Sequence, residues 1–406
     1  MRSDDRLFLG IVGVLMMLVA EESFSQPPEF STTPSSSRHS APDDATNRSP
    51  ASVLTADEWR RVDRAVERGL AWLAAEQQED GSFPTIPNGQ PAVTSLCTMA
   101  FVAHGNVPGD GRYGRNLERA TDYVLSCQKE SGLVALVGPE GPVLDRVVPE
   151  HEVGICAAYN HAISSLLLSE MYGMSVAERA RRIEAVINRS LRLSLAMQRW
   201  HKDRAVDRGG WRYLDDPENV DSDLSITGWE LMFLRSARNA GFDVPRAPID
   251  DAVAYVRRCY APEFGTFEYV TGVGDDRSRC MAGAGILALA HAGFHNSREA
   301  QQSGQWLLEH DFTEYNATLS FHQQWPRDRY HYALFNCAQA MYQLGGRYWQ
   351  EFFPPTVRTL LANQQPDGSW PTDSHWHDSQ FGNAYTTALV VMTLGAPNQL
   401  LPVFQR

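Results

Sequence analysis

Six glycines follow apolar helical runs along this chain, at Gly105, Gly173, Gly241, Gly293, Gly345 and Gly395, separated by 68, 68, 52, 52 and 50 residues. Gly is the commonest residue just past a helix because it enters the left-handed region without a Cβ clash. Six regularly spaced stops therefore predict six equivalent helices. The runs before them, such as Leu96–Ala103, Ile163–Leu168, Ile286–Ala290 and Ala388–Leu394, are apolar on every side, which predicts full burial. Between them lie amphipathic segments. The first opens on the capping box Thr55-Ala-Asp-Glu58 and carries Trp59, Val62, Val66 and Leu73 on one stripe. Comparable segments are Asn116–Cys127, Ile183–Met197, Ile249–Cys259, Glu299–Leu308 and Trp349–Ala362. An open solenoid of such pairs needs capping repeats at its ends, whereas a closed ring buries six inner helices inside six outer ones and needs none. The pattern predicts an all-α fold, a single (α/α)6 toroid over residues 52–406.

The fifty residues before it have a different character. Arg2 and Arg6 precede an apolar run from Leu7 to Ala20, shorter than the roughly 20 residues that cross a bilayer. Ser23 and Ser25 then offer small residues for cleavage, so residues 1–25 read as a secretory signal, with an uncleaved anchor as the alternative. Residues 26–51 are Pro, Ser, Thr and Asn with almost nothing apolar, a tether rather than a domain. This predicts a secreted or periplasmic protein with no transmembrane span in the mature chain. A net charge of −13 argues against a nucleic-acid partner. Six Cys in 406 residues cannot hold such a fold together, and their positions in or at the ends of helices predict mostly free, buried thiols.

Each outer helix ends in a turn, most complete at Gln77-Gln-Glu-Asp-Gly-Ser-Phe83 and Gln364-Gln-Pro-Asp-Gly-Ser-Trp370. Weaker copies are Gln128-Lys-Glu-Ser-Gly132, Gly209-Gly-Trp-Arg-Tyr213 and Phe264-Gly-Thr-Phe267. Asp-Gly makes the tight turn, Gln can bond exposed backbone groups, and the aromatic ring packs on a neighbouring repeat. This motif resembles the Q-x-x-D-G-x-W repeat of squalene cyclases and protein prenyltransferase β subunits, over roughly residues 55–400. The resemblance implies the toroid. It also implies a central cavity that takes a hydrophobic, isoprenoid-like ligand.

In such a ring the residues just before each inner helix crowd one mouth, where helix N-termini attract anions. This sequence places there His151 and Glu152; Asp221, Asp223, Ser225 and Thr227; Asp275, Asp276, Arg277, Arg279 and Cys280; Asp328, Arg329, Tyr330 and His331; and His375, His377, Asp378, Asn383 and Tyr385. Arg327-Asp-Arg-Tyr-His331 resembles a prenyltransferase segment whose His binds zinc, and Cys280 falls where that family has its Cys ligand. The family's Asp ligand is Ser278 here, with Asp275 or Asp276 as the substitute. The zinc set implied is Cys280, His331 and Asp276.

Val220-Asp-Ser-Asp-Leu-Ser225 resembles the acid segment of class II cyclases, which implies Asp223 as proton donor with Asp221 beside it. That role needs an environment that keeps the carboxyl protonated. Either Asp could equally be a helix cap. Trp229, Tyr332 and Tyr385 would line the ligand cavity, with Arg279 at its mouth. Two other readings stay open: a polysaccharide hydrolase or lyase on the same barrel, and a non-catalytic scaffold. Neither catalysis nor its class, isomerase or transferase, is fixed by the sequence.

Overall fold

The computed structural model describes residues 50–144, 150–214, 220–272, 276–319 and 328–405. The proposed signal and tether lie outside these residues, except for their last two positions. The described residues form twelve α-helices in chain order: α1 (Ala56–Glu76), α2 (Ala92–Val102), α3 (Gly114–Ser126), α4 (His151–Tyr172), α5 (Ala177–Gln198), α6 (Leu224–Asn239), α7 (Arg246–Arg258), α8 (Arg279–His291), α9 (Arg298–Glu309), α10 (Tyr330–Leu344), α11 (Gly346–Ala362) and α12 (Gly382–Leu394). Two short antiparallel strands, Tyr260–Ala261 and Thr266–Phe267, form the turn after α7.

The even-numbered helices pack in sequence, α2 on α4, α4 on α6, and so on to α12, which packs back on α2. This closes the ring. Every described residue of α2 is buried, as are nearly all of α8, α10 and α12. The odd-numbered helices form the outer layer and bury one stripe each, as their amphipathic patterns require. The fold is therefore the predicted α/α toroid of six inner and six outer helices. No described helix is long and apolar enough to cross a membrane.

The repeated turn explains how neighbouring outer helices are spaced. Gln77 Nε2 donates to Gly81 O within its own turn and to Asn116 O on the next outer helix, both at 2.9 Å. Gln128, Gln198 and Gln364 repeat this pairing onto Val186, Pro248 and Ala65. The turn glycines sit at φ of +91° to +102°, and a Cβ on Gly81 or Gly209 would lie 2.4 or 2.3 Å from a carbonyl of the next outer helix. Backbone packs on backbone there, and only Gly fits. The aromatic residue two positions later is buried, and its N–H is accepted by an inner-helix hydroxyl: Phe83 by Thr94, Trp211 by Thr227, Trp370 by Thr387.

The capping box of α1 forms as expected, and Glu58 also pairs with Arg358 of α11, tying the last outer helix to the first. The six helix-stop glycines are less uniform than their spacing suggests. Gly105, Gly241, Gly293 and Gly345 take positive φ, but Gly173 and Gly395 remain right-handed. Gly395 is needed for closeness, since a Cβ there would meet the His104 ring at 2.6 Å. All six Cys are free and buried.

Candidate active site at the mouth of the toroid

The inner helices all begin at one end of the ring, and their first turns surround a vestibule of about 370 Å³. A narrower apolar throat of about 70 Å³ continues inward, and five residues line both chambers: Ile155, Tyr159, Arg329, Tyr332 and His377. Below the throat the axis is filled. Trp229 stacks between Tyr332 and Phe335, with ring centroids 6.2 and 5.8 Å away. Phe335 in turn meets Phe404 of the C-terminal segment, whose carbonyl accepts from Gln343 at 2.6 Å. The site is a blind pocket.

Two arginines set its electrostatics. Arg329 donates to Asp378 Oδ1 at 2.8 Å, and Arg212 donates to Asp223 Oδ2 at 3.1 Å and to Tyr269 at 2.8 Å. Both carboxylates are fully covered, so the guanidinium groups line the cavity and the acids stand behind them. Burial works against each cation, but Asp378 for Arg329, and Tyr269 and Asp223 for Arg212, outweigh it and raise both pKa values. Burial also opposes ionisation of Asp378, yet Arg329, His377 and His375 hold its pKa down to about 2. His377 Nδ1 lies 3.3 Å from Arg329 Nη1 and 3.4 Å from Asp378 Oδ1, and its Nε2 lies 3.3 Å from Glu152 at the rim.

Tyrosines supply the remaining polar wall. Tyr159, Ser225 and Tyr332 form a chain of 2.8 Å hydroxyl contacts, and Trp229 Nε1 donates to Tyr332 at 2.6 Å. Tyr213 and Tyr269 are joined through their hydroxyls. Burial pushes the pKa of every one of these phenols up, so they remain protonated hydrogen-bond donors. Trp376 stands at the rim with 66% of its surface exposed, a flat apolar face beside an otherwise polar opening.

The residues expected from sequence divide sharply. Trp229, Tyr332 and Tyr385 line the throat. Arg279 does not face the cavity. It is buried in a fork on Asp328, at 2.6 Å, and also donates to the carbonyls of Asp311 and Ala317, so it ties loops together. Arg329 takes the place at the mouth that sequence reading gave to Arg279. Asp223 is the N-cap of α6, accepting from Ile226 N at 2.8 Å; burial pushes its pKa up while Arg212 pulls it back. Asp221 is buried and accepts from the backbone N–H of Asp203 at 2.6 Å. Neither Asp lines the vestibule.

The zinc set does not assemble. His331 has Nδ1 2.8 Å from Asp373 and Nε2 2.9 Å from Tyr315, which occupies both ring nitrogens. Cys280 lines the vestibule, and its buried sulfur accepts from Asn336 Nδ2 at 3.9 Å. Asp276 is buried in the loop before α8, where its carbonyl accepts from Tyr269 N. Among the described residues no three His, Cys, Asp or Glu side chains are placed to hold a metal ion.

Sequence reading missed Arg212, Tyr213, Tyr269, Tyr159 and Trp376. Two of them carried a signal. Tyr213 and Tyr269 each stand two residues after a turn aromatic, Trp211 and Phe267, where the chain turns toward the mouth.

No protein-family model matches the chain, and no curated protein matches it in sequence. Among solved structures it is similar to a polysaccharide lyase, at 9% identity and a TM-score of 0.50 over 85% of this chain and 98% of that one. An α-amylase from Clostridium perfringens gives 11% identity and a TM-score of 0.50 over 82% and 97%. The apo type II terpene cyclase MstE from Scytonema gives 14% and 0.48 over 84% and 100%. At such identities the likeness is one of fold. The chain has the α/α-toroid fold, the fold that its turn motif predicts.

Proposed function

We propose that the vestibule is the active site for an acidic sugar chain and that it breaks the chain by elimination. The observation that carries this is the chemistry of the wall: hydroxyls, guanidinium groups and imidazoles, with Glu152 the sole carboxylate among the described lining residues. Hydrolysis by paired carboxylates needs two acids facing the bond, and an acid-initiated cyclisation needs an acid facing the substrate. Asp223 and Asp378 are both shielded by arginine.

Elimination needs a cation for the sugar carboxylate, a base and an acid. Arg329 and Arg212 bind the carboxylate. His377, oriented by Asp378, takes the proton from the carbon beside that carboxylate. A C=C bond forms as the glycosidic C–O bond breaks, and the leaving oxygen takes its proton from the Tyr159–Ser225–Tyr332 chain. Trp376 stacks on a sugar ring at the rim.

The test is incubation with a panel of uronic-acid polysaccharides, following ultraviolet absorbance of the new C=C bond. Product that appears with wild-type protein and disappears with His377→Gln supports the reading. Activity on neutral polysaccharides alone would overturn it.

A second reading rests on the throat, walled by Val93, Leu96, Ile163, Leu389, Trp229 and Tyr385. Its volume of about 70 Å³ holds roughly five to seven waters, so it suits one isoprene-sized group rather than a polyisoprenoid. Mass spectrometry of a lipid extract from purified protein decides whether such a group is bound.

A further inference from the structure

A second cavity of about 280 Å³ opens at the opposite end of the ring, between the C-terminal halves of α6 and α8 and the start of α7. Three arginines line it, Arg235, Arg238 and Arg246, against one acid, Asp250, which pairs with Arg246 at 3.1 Å. In a chain with 49 acidic and 36 basic residues this is an unusual concentration of positive charge. The side chains of Arg235 and Arg238 are exposed and make no ion pair or hydrogen bond among the described residues. Favourable contact with a helix C-terminus explains an arginine at the end of α6, but Arg246 sits at the N-terminus of α7, where the dipole disfavours it.

The rest of the wall is apolar. Leu231 and Val253 form a buried floor, and Phe294 is 42% exposed at the rim with Arg257 stacked 4.4 Å above its ring. His291 also lines the cavity; its Nε2 is enclosed and has no hydrogen-bond partner among the described residues. Burial first, and then Arg235, lower its pKa to about 3, so the ring is neutral and adds no charge to the cavity.

We propose that this cavity binds a phosphoryl head group carrying an alkyl chain, the head on Arg235 and Arg238 and the chain along Leu231, Val253 and Phe294. The head could belong to a membrane lipid or to a free phosphate, and the experiment separates these sources. Full-length protein is titrated calorimetrically with octyl phosphate, inorganic phosphate, octyl glucoside and phosphatidylglycerol vesicles. Octyl phosphate is expected to bind at least tenfold more tightly than inorganic phosphate, and octyl glucoside not at all. Binding is expected to fall at least tenfold in the Arg235→Gln/Arg238→Gln double variant and to return in the Arg235→Lys/Arg238→Lys double variant, with thermal midpoints unchanged. Vesicle binding that shows the same arginine dependence would identify the source as a membrane lipid.

Equal affinity for inorganic and octyl phosphate would overturn the alkyl part and assign a free-phosphate site. Octyl phosphate affinity indifferent to the double substitution, or no binding of any anion, would overturn the proposal.

Discussion

Replacing Glu230 by Gln should stabilise the toroid at neutral and alkaline pH while changing little near about pH 5. Glu230 lies on α6, fully buried, and neither carboxyl oxygen has a hydrogen-bond partner among the described residues. Burial pushes its pKa from 4.5 up to about 8; the nearby Ser194 hydroxyl, beyond hydrogen-bond reach of either oxygen, opposes this only in part. Between those two values the native state holds a proton that the unfolded chain has released. Stability therefore falls as pH rises through that window and levels off above the folded value. Each pH unit inside the window is worth about 1.4 kcal/mol, so the burden reaches roughly 3 kcal/mol at about pH 7, an upper bound if the core relaxes or admits water. Gln keeps the volume and removes the titration. Urea unfolding of both proteins across the window checks this, and the difference in stability should grow with pH. A difference independent of pH, or a Gln variant less stable at the alkaline end, would refute the assignment of a protonated Glu230.

Glu170 should add a second, smaller alkaline loss. Its pKa is raised by burial to about 7, and its carboxyl holds Ser236 and the backbone N–H of Val403 in the C-terminal plug. Urea unfolding should therefore show stability falling as pH rises from about 4.5 to about 7, and Glu170→Gln should remove that part of the slope. Gly209→Ala places a Cβ 2.3 Å from Asp251 O at positive φ and should cost well over about 2 kcal/mol, whereas Gly111→Ala, with nothing within 4 Å, should cost only about 1 kcal/mol. Thermal or urea midpoints compare the two. Trp376→Ala should leave the midpoint unchanged and weaken binding of whatever occupies the vestibule. Chelators should not shift the midpoint, because both His331 nitrogens are already bonded to protein; a drop on chelation would restore the metal reading.

The toroid was legible because it is built from local patterns. Apolar runs, glycine stops and the Gln turn each act over a few residues, and the turn's Gln, Gly and aromatic have the partners their chemistry demands. The site was only half legible. Every inner helix start carries polar residues, and sequence alone does not say which point inward. Arg279 and Arg329 are both arginines at the foot of an inner helix, yet one is buried in a fork on Asp328 and the other lines the cavity. Asp223 stands in an acid-like motif but caps its own helix and is covered by Arg212, fifty-seven residues' worth of chain away from the Tyr269 that shares that guanidinium.

By itself, then, the sequence determined the number, order and burial of the helices, because helix formation and its termination are local. The tertiary structure alone decided which polar groups meet. Packing of each inner helix, and of the turn that leads into it, against its neighbours turned Arg212, Arg329 and five tyrosines toward one opening and closed His331 against Asp373.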